Sequence, residues 1–227
     1  LTAAGYTALV IFSPASMLAI ERGNVDLFIF ILCVLALLVP ETRSGVAATI
    51  LMAATFLKLF PLFGFAMFLR ESRSRFWMTS LSALSLFLVY AVLTYPNISA
   101  SFAYTEKGAE LSYGVNVVPL YMEKLFNSAG LFKLLTPVFS LMGLTLFLSA
   151  VFLGGRSTLA GASQTRTLSA FRLGAMVYMG TFVIGNNWDY RLIFLLFLIP
   201  QLFEWKNDDS LRSAARWALV LLAVSCW

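Results

Sequence analysis

Long apolar runs constrain this chain most, because several approach the roughly 20 residues that an α-helix needs to cross a bilayer. Hydrophobic residues make up 60% of the 227 residues and charged residues only 12%, whereas a soluble domain carries roughly twice that share of charge. We therefore predict an all-α, polytopic bundle of transmembrane helices that forms a single domain over residues 1–227. About eight membrane segments are expected, near residues 1–20, 24–39, 46–69, 76–95, 131–153, 168–185, 190–203 and 214–227.

Residue types that are missing or few exclude several functions. The chain has no histidine, which removes Ser-His-Asp and Cys-His catalysis and the usual zinc sites. Cys33 and Cys226 lie in apolar runs and are predicted to be buried thiols. The net charge of +5 comes mainly from short loops, so no nucleic-acid surface is predicted. The chain begins at Leu1 instead of Met and ends within an apolar run, so we expect a fragment of a longer protein.

The basic residues of the loops predict which way the chain crosses the membrane. They form three groups, which simple alternation of the segments puts on one side: Arg70, Arg73 and Arg75; Arg156, Arg166 and Arg172; Lys206, Arg212 and Arg216. The positive-inside rule makes that side cytoplasmic. The long connection 96–130 and the turn 185–190 then face outward.

A short amphipathic helix is predicted within the outward connection. Pro119 suits a helix start, and Val118, Tyr121, Met122 and Leu125 follow i, i+3, i+4, i+7 spacing. Such a helix fits the membrane surface. A structural plug or lid is the alternative.

Lys58 is the most informative single residue. It lies near the centre of the 46–69 run, where a charged side chain costs several kcal/mol. We therefore expect it to face a polar cavity or a partner carboxylate, with Pro61 bending the helix nearby. An anionic ligand such as a lipid phosphate is the functional interpretation. A lysine that reaches toward the interface, or pairs for stability alone, is the structural one.

Two further polar stretches interrupt the apolar pattern. In Glu21–Asp26, Asn24 can cap a helix and Asp26 favours the helix dipole. In Gly185–Arg191, Asp189 and Arg191 could bind substrate, or pair with each other and anchor a turn. Trp188 and Tyr190 suit a membrane interface in either case.

These motifs together resemble a known family. Arg22-Gly23-Asn24, an apolar helix, a short loop and then Lys58-Leu59-Phe60-Pro61 are similar to the GT-C superfamily of membrane glycosyltransferases, most of all glycosyltransferase family 87, the bacterial polyprenyl-phosphate mannosyltransferases. Tyr113–Pro119 resembles the family's Gly/Asn-containing loop. Asp189-Tyr190-Arg191 fits its late outward loop.

The resemblance implies a multi-pass enzyme of the bacterial plasma membrane, in the cell envelope. It would transfer mannose, or another hexose or pentose, with inversion from a polyprenyl-phosphate donor to a lipid or glycan acceptor at the outer face. Membrane lipids are further partners, and no cofactor or metal site is predicted, with assistance by a divalent metal left open. The family's catalytic base is an acidic residue on the first outward loop. We expect that loop before Leu1, so no catalytic residue is assigned.

Seven residues are predicted to bind substrate. Lys58 and Arg191 would contact the phosphate, and Asn116, Asp189 and Tyr190 the sugar hydroxyls. Arg22 and Asn24 carry the family motif. If segments 24–39 and 46–69 both span fully, however, Arg22 lies on the cytoplasmic side with Arg70, away from an outward site. Segment 24–39 is then re-entrant, or the Arg22–Asn24 cluster is structural, which we favour.

Three other functions are compatible with parts of the sequence. A transporter or flippase of a lipid-linked or polar solute could use the same buried lysine, but predicts internal repeats and paired broken helices, which the sequence lacks. An acyltransferase or glycan ligase commonly needs a histidine. A non-catalytic scaffold would not need the long aromatic outward loop.

Overall fold

The computed structural model describes residues 2–104, 108, 110–128, 130–154, 165–185 and 187–227, most of them helical. The α-helices are, in chain order, α1 (Ala3–Ile11), α2 (Pro14–Glu21), α3 (Val25–Leu38), α4 (Ser44–Leu57), α5 (Arg73–Leu93), α6 (Tyr95–Tyr104), α7 (Val117–Phe126), α8 (Leu131–Gly154), α9 (Arg166–Ile184), α10 (Ile199–Trp205) and α11 (Arg212–Cys226). Stretches of 3-10 helix cover Glu41–Arg43, Phe60–Arg70 and Asp189–Leu198, and two short strands are β1 (Ser112–Tyr113) and β2 (Asn187–Trp188). Arg156 and Asn186 lie outside the described residues.

The predicted helical class is confirmed, and the predicted number of spans is not. Helices α5 and α9 are each long and apolar enough to cross a membrane. Up to four spans result if the bent pairs α1–α2 (53°) and α3–α4 (115°) each count as one. The apolar window of α5 is only 6% buried, as expected of a helix that faces lipid. The protein is an integral membrane protein, and eight spans stay a prediction.

The chain divides into two compact units. Unit 1 comprises Leu1–Thr105, Thr165–Tyr178 and Tyr190–Trp227, and unit 2 comprises Glu106–Gln164 and Met179–Asp189. Helix α9 therefore begins in unit 1 and ends in unit 2. Both cysteines are free and buried within unit 1, as the sequence predicts.

Within unit 1, the predicted single segment 46–69 is wrong, because the chain reverses in its middle. Helix α4 ends at Leu57, Lys58 is extended (φ −149°, ψ 144°), and a 3-10 helix starts at Phe60. The ring of Pro61 would clash with the carbonyl of residue 57 in a continuous helix, so the helix ends there. The 3-10 helix packs back along α4, and Arg70 Nη1 comes to 3.5 Å from Glu41 Oε1.

The consequence is three short segments, α3, α4 and the Phe60–Arg70 3-10 helix, in place of two long helices. Helices α3 and α4 have 14 residues each, a length of about 21 Å each, against a hydrocarbon core of about 30 Å. Asn24 and Lys58 lie at one end of these segments, and Glu41 and Arg70 lie at the other.

The Arg22-Gly23-Asn24 motif ends one helix and begins the next. Gly23 has a left-handed backbone (φ +53°), and the Asn24 amide donates to the Ala19 carbonyl at 3.3 Å, which closes the end of α2. Asn24 Oδ1 accepts from the Asp26 amide at 3.0 Å, so the predicted N-cap is confirmed. The motif thereby places Asp26 in the first turn of α3.

Unit 2 contains the helix predicted within the outward connection. Strand β1 pairs antiparallel with β2, and α7 follows it and packs on α8. The predicted apolar face of α7 is exposed: Val118, Tyr121, Met122 and Leu125. Its position at a membrane surface stays a prediction.

Candidate functional site

Three charged side chains from distant parts of the sequence meet in unit 1. Lys58 Nζ lies 2.6 Å from Asp26 Oδ1, and Arg191 Nε lies 3.1 Å from Asp26 Oδ2. The Lys58 contact is an ion pair by distance, although its angles leave Oδ1 without a well-aligned hydrogen bond to any described residue. We call Asp26, Lys58 and Arg191 the charge cluster. The carboxylate that Lys58 was predicted to need is Asp26.

Within the charge cluster, the carboxylate is buried and the two cations are partly exposed. The Asp26 side chain is 0% exposed, whereas the Lys58 and Arg191 side chains are 26% and 19% exposed. Two cations and one carboxylate carry a net charge of +1. A partly desolvated site of this charge attracts an anion more strongly than a surface group does.

Aromatic rings support both cations. Lys58 Nζ lies 5.7 Å from the ring centroid of Tyr190, and the Arg191 guanidinium carbon lies 5.0 Å from that of Phe60. Both distances fit cation–π contact. The Lys58–Pro61 and Tyr190–Arg191 motifs therefore supply both the two cations and the two rings that contact them.

A side chain of α5 contacts the last turn of α4. The Tyr90 hydroxyl donates to the Phe56 carbonyl at 3.1 Å, and the two rings lie 4.9 Å apart. Phe56 is in the last turn of α4, where carbonyls lack helical donors. Tyr90 therefore donates to a carbonyl left open by the helix end, close to the bend predicted at Pro61.

The two predicted site residues of the Arg22-Gly23-Asn24 motif have different surroundings. Asn24 Oδ1 lies 3.4 Å from Lys58 Nζ and so joins the charge cluster. Arg22 is exposed at the end of α2 and forms no ion pair with a described residue. The favoured interpretation, that the Arg22–Asn24 cluster is structural, followed from a full 46–69 span, which would put Asn24 on the side of Arg70. Helix α4 instead ends at Leu57, and Asn24 lies with Lys58 at the opposite end of α4 from the Glu41–Arg70 pair.

Two of the predicted residues, Asn116 and Asp189, belong to unit 2. Asn116 Oδ1 is buried with no hydrogen-bond partner among the described residues. The Asp189 amide donates to the Leu111 carbonyl at 3.0 Å, and burial raises the pKa of the Asp189 carboxyl. Nearby, Gly114 has a positive φ (+132°), and an added Cβ there would collide with the Gly185 carbonyl.

Asp26 is the site residue that the sequence interpretation missed. It was assigned to the helix dipole, which it also serves. The signal for its second role was the buried lysine itself, which required a carboxylate in an otherwise apolar neighbourhood. No group of three or more described His, Cys, Asp or Glu residues could hold a metal ion.

Comparison with known proteins identifies a family. The sequence model of glycosyltransferase family 87 matches residues 1–184, which include Asp26 and Lys58 but not Arg191. No curated protein and no solved structure matches the chain.

Proposed function

Because the chain belongs to glycosyltransferase family 87, we propose that this membrane glycosyltransferase moves a sugar from a polyprenyl-phosphate donor to a hydroxyl of a lipid or glycan acceptor. The sugar is mannose or another hexose or pentose, and transfer takes place at the outer face of the bacterial plasma membrane. The observation that carries the proposal is the charge cluster, with its net positive charge and two partly open cations.

The proposed reaction is a single displacement at the sugar. The acceptor oxygen attacks the anomeric carbon, the bond from that carbon to the phosphate oxygen breaks, and the electron pair stays on the phosphate. The acceptor proton goes to a carboxylate base, which we assign to no residue of this chain. Lys58 and Arg191 stabilise the negative charge that grows on the leaving phosphate.

Arginine positions support the outward orientation. Arg70 ends the Phe60–Arg70 3-10 helix, and Arg73 and Arg75 follow at the start of α5. The positive-inside rule makes that end cytoplasmic. Lys58 lies at the other end, which is therefore the outer one in this proposal. The exposed apolar face of α7 would rest at a membrane surface.

The sugar-binding assignments have separate support. Asn116 has a buried amide oxygen without a partner among the described residues, and such an atom favours binding a hydroxyl. Tyr190 lies beside Lys58. Asp189 is proposed from its place in the motif.

The test is Lys58→Met in the full-length enzyme. The variant leaves Asp26 paired with Arg191, so the buried charges still balance and the fold should persist. Turnover should fall roughly 100-fold, the size of effect seen when one transition-state charge contact is removed. The control is Lys206→Met, which removes a lysine that contacts Phe203 outside the cluster. Normal turnover of a well-folded Lys58→Met enzyme would refute the proposal.

A further inference from the structure

Asp26 lies between the two cations and contacts each through a separate oxygen, Oδ1 to Lys58 and Oδ2 to Arg191. Its side chain has no exposed surface, whereas both cations have some. A bound phosphate can therefore contact Lys58 and Arg191 without contacting Asp26. Any effect of Asp26 on the ligand acts through the cations and through charge.

Asp26 is poorly placed to be the general base of the reaction. Both carboxylate oxygens are occupied by cations, and no surface remains through which an acceptor hydroxyl could approach. A general base must come within hydrogen-bond reach of the proton it takes. The role left to Asp26 is electrostatic.

We propose that Asp26 is a specificity-determining residue: by holding the charge cluster at +1, it weakens the binding of a phosphate monoester relative to that of a phosphodiester. This inference rests on the proposed function. A phosphodiester carries one negative charge, whereas a phosphate monoester carries about −1.5 to −2 at neutral pH. The donor of the proposed reaction is a diester, which balances the cluster, and the product polyprenyl phosphate is a monoester, which exceeds it.

The charge of the cluster also affects how fast the product phosphate is released. A cluster without Asp26 would carry +2 and would match the product, so the product would leave slowly. With Asp26 present, the leaving phosphate carries more charge than the site neutralises, and release is favoured. Asp26 therefore limits product inhibition in this proposal.

Two probes that differ by one charge test the inference. Farnesyl phosphate is a monoester, and its methyl ester is a diester with the same chain. Their dissociation constants are measured by calorimetry on the full-length protein in detergent at pH 7.5. Asp26→Asn should lower the dissociation constant of the monoester relative to that of the diester by about tenfold or more. The reason is that the lost charge lies within a few ångströms of the ligand.

Lys58→Met changes the cluster charge in the opposite sense and keeps the test decisive if Asp26→Asn does not fold. In this variant the charge cluster is neutral, so the dissociation constant of the monoester should rise relative to that of the diester. The ratio of the monoester to the diester dissociation constant should thus fall as the cluster charge rises from 0 in Lys58→Met to +1 in the wild type and +2 in Asp26→Asn. A ratio that is unchanged, or that moves against the charge, overturns the inference.

Glu71→Gln is the matched control. Glu71 is also a buried carboxylate, 4% exposed and 3.1 Å from Arg75, so its loss changes the charge of the protein but not of the cluster. The probe ratio should stay at its wild-type value. Failure of this inference is distinct from failure of the proposed function: low turnover of Lys58→Met with a constant probe ratio removes only the role of Asp26.

Discussion

Arg191 makes two contacts that a lysine cannot make together. Its Nε binds Asp26 while its guanidinium carbon lies 5.0 Å from the centroid of the Phe60 ring, and a lysine ammonium group is a compact point charge. We expect Arg191→Lys to lower kcat/KM about tenfold, or about 1.4 kcal/mol. The measurement is sugar transfer at several donor concentrations.

Arg212→Lys is the control for Arg191→Lys. Arg212 pairs with Asp209 at 2.5 Å, but both side chains are largely exposed, and exposed pairs contribute little. That variant should keep wild-type kinetics. Equal kinetics of both variants would show that the charge of Arg191 matters and its shape does not.

At the level of residues, the sequence predicted the need for a partner but not the partner. Lys58 in an apolar run required a negative group, and this follows from the energy of a charge in lipid. Asp26 already had a sufficient local role at a helix start. Only the fold brings α3 and the break after α4 together, and nothing in the spacing of the two residues indicates that register.

Gly23 controls how α2 passes into α3. Its φ of +53° is left-handed, and no atom lies within 4 Å of an added Cβ, so Gly23→Ala is opposed by backbone strain alone. We expect a loss of about 1 kcal/mol in stability, measured as lower thermal stability in detergent. Gly45→Ala, also without neighbours within 4 Å but in helix α4, should be neutral or stabilising. A stable Gly23→Ala variant would contradict the strain argument.

At the level of elements, periodicity predicted helices better than it predicted their paths. The spacing of Val118, Tyr121, Met122 and Leu125 predicted an amphipathic helix; the structure has an α-helix there, α7, and its amphipathic role at a membrane surface stays a prediction. The 46–69 run gave no such guide, because a residue that faces lipid and one that faces a packed helix are equally apolar. Pro61 was the one local signal of a break. It indicated a bend, and the reversal itself depends on packing between α4 and the following 3-10 helix.

For the whole molecule, the orientation in the membrane depends on that reversal. With an unbroken 46–69 span, Lys58 would lie mid-bilayer and Asn24 would share a side with Arg70. With three short segments, the charge cluster lies at one end of α4 and the Glu41–Arg70 pair at the other. The arginine-rich loops and the charge cluster should therefore face opposite sides of the membrane.

Labelling of single cysteines tests this arrangement. The native Cys33 and Cys226 are buried and are first replaced by alanine, which gives an unlabelled background. Glu21 is exposed just before the Arg22–Asn24 turn, and Ser74 is exposed just after Arg70. A membrane-impermeant maleimide should label Glu21→Cys in intact cells, and Ser74→Cys only after the membrane is opened. Labelling of both positions from the same side would require an even number of membrane passes between them, and the predicted opposite orientation of the charge cluster and the arginine-rich loop would then be wrong.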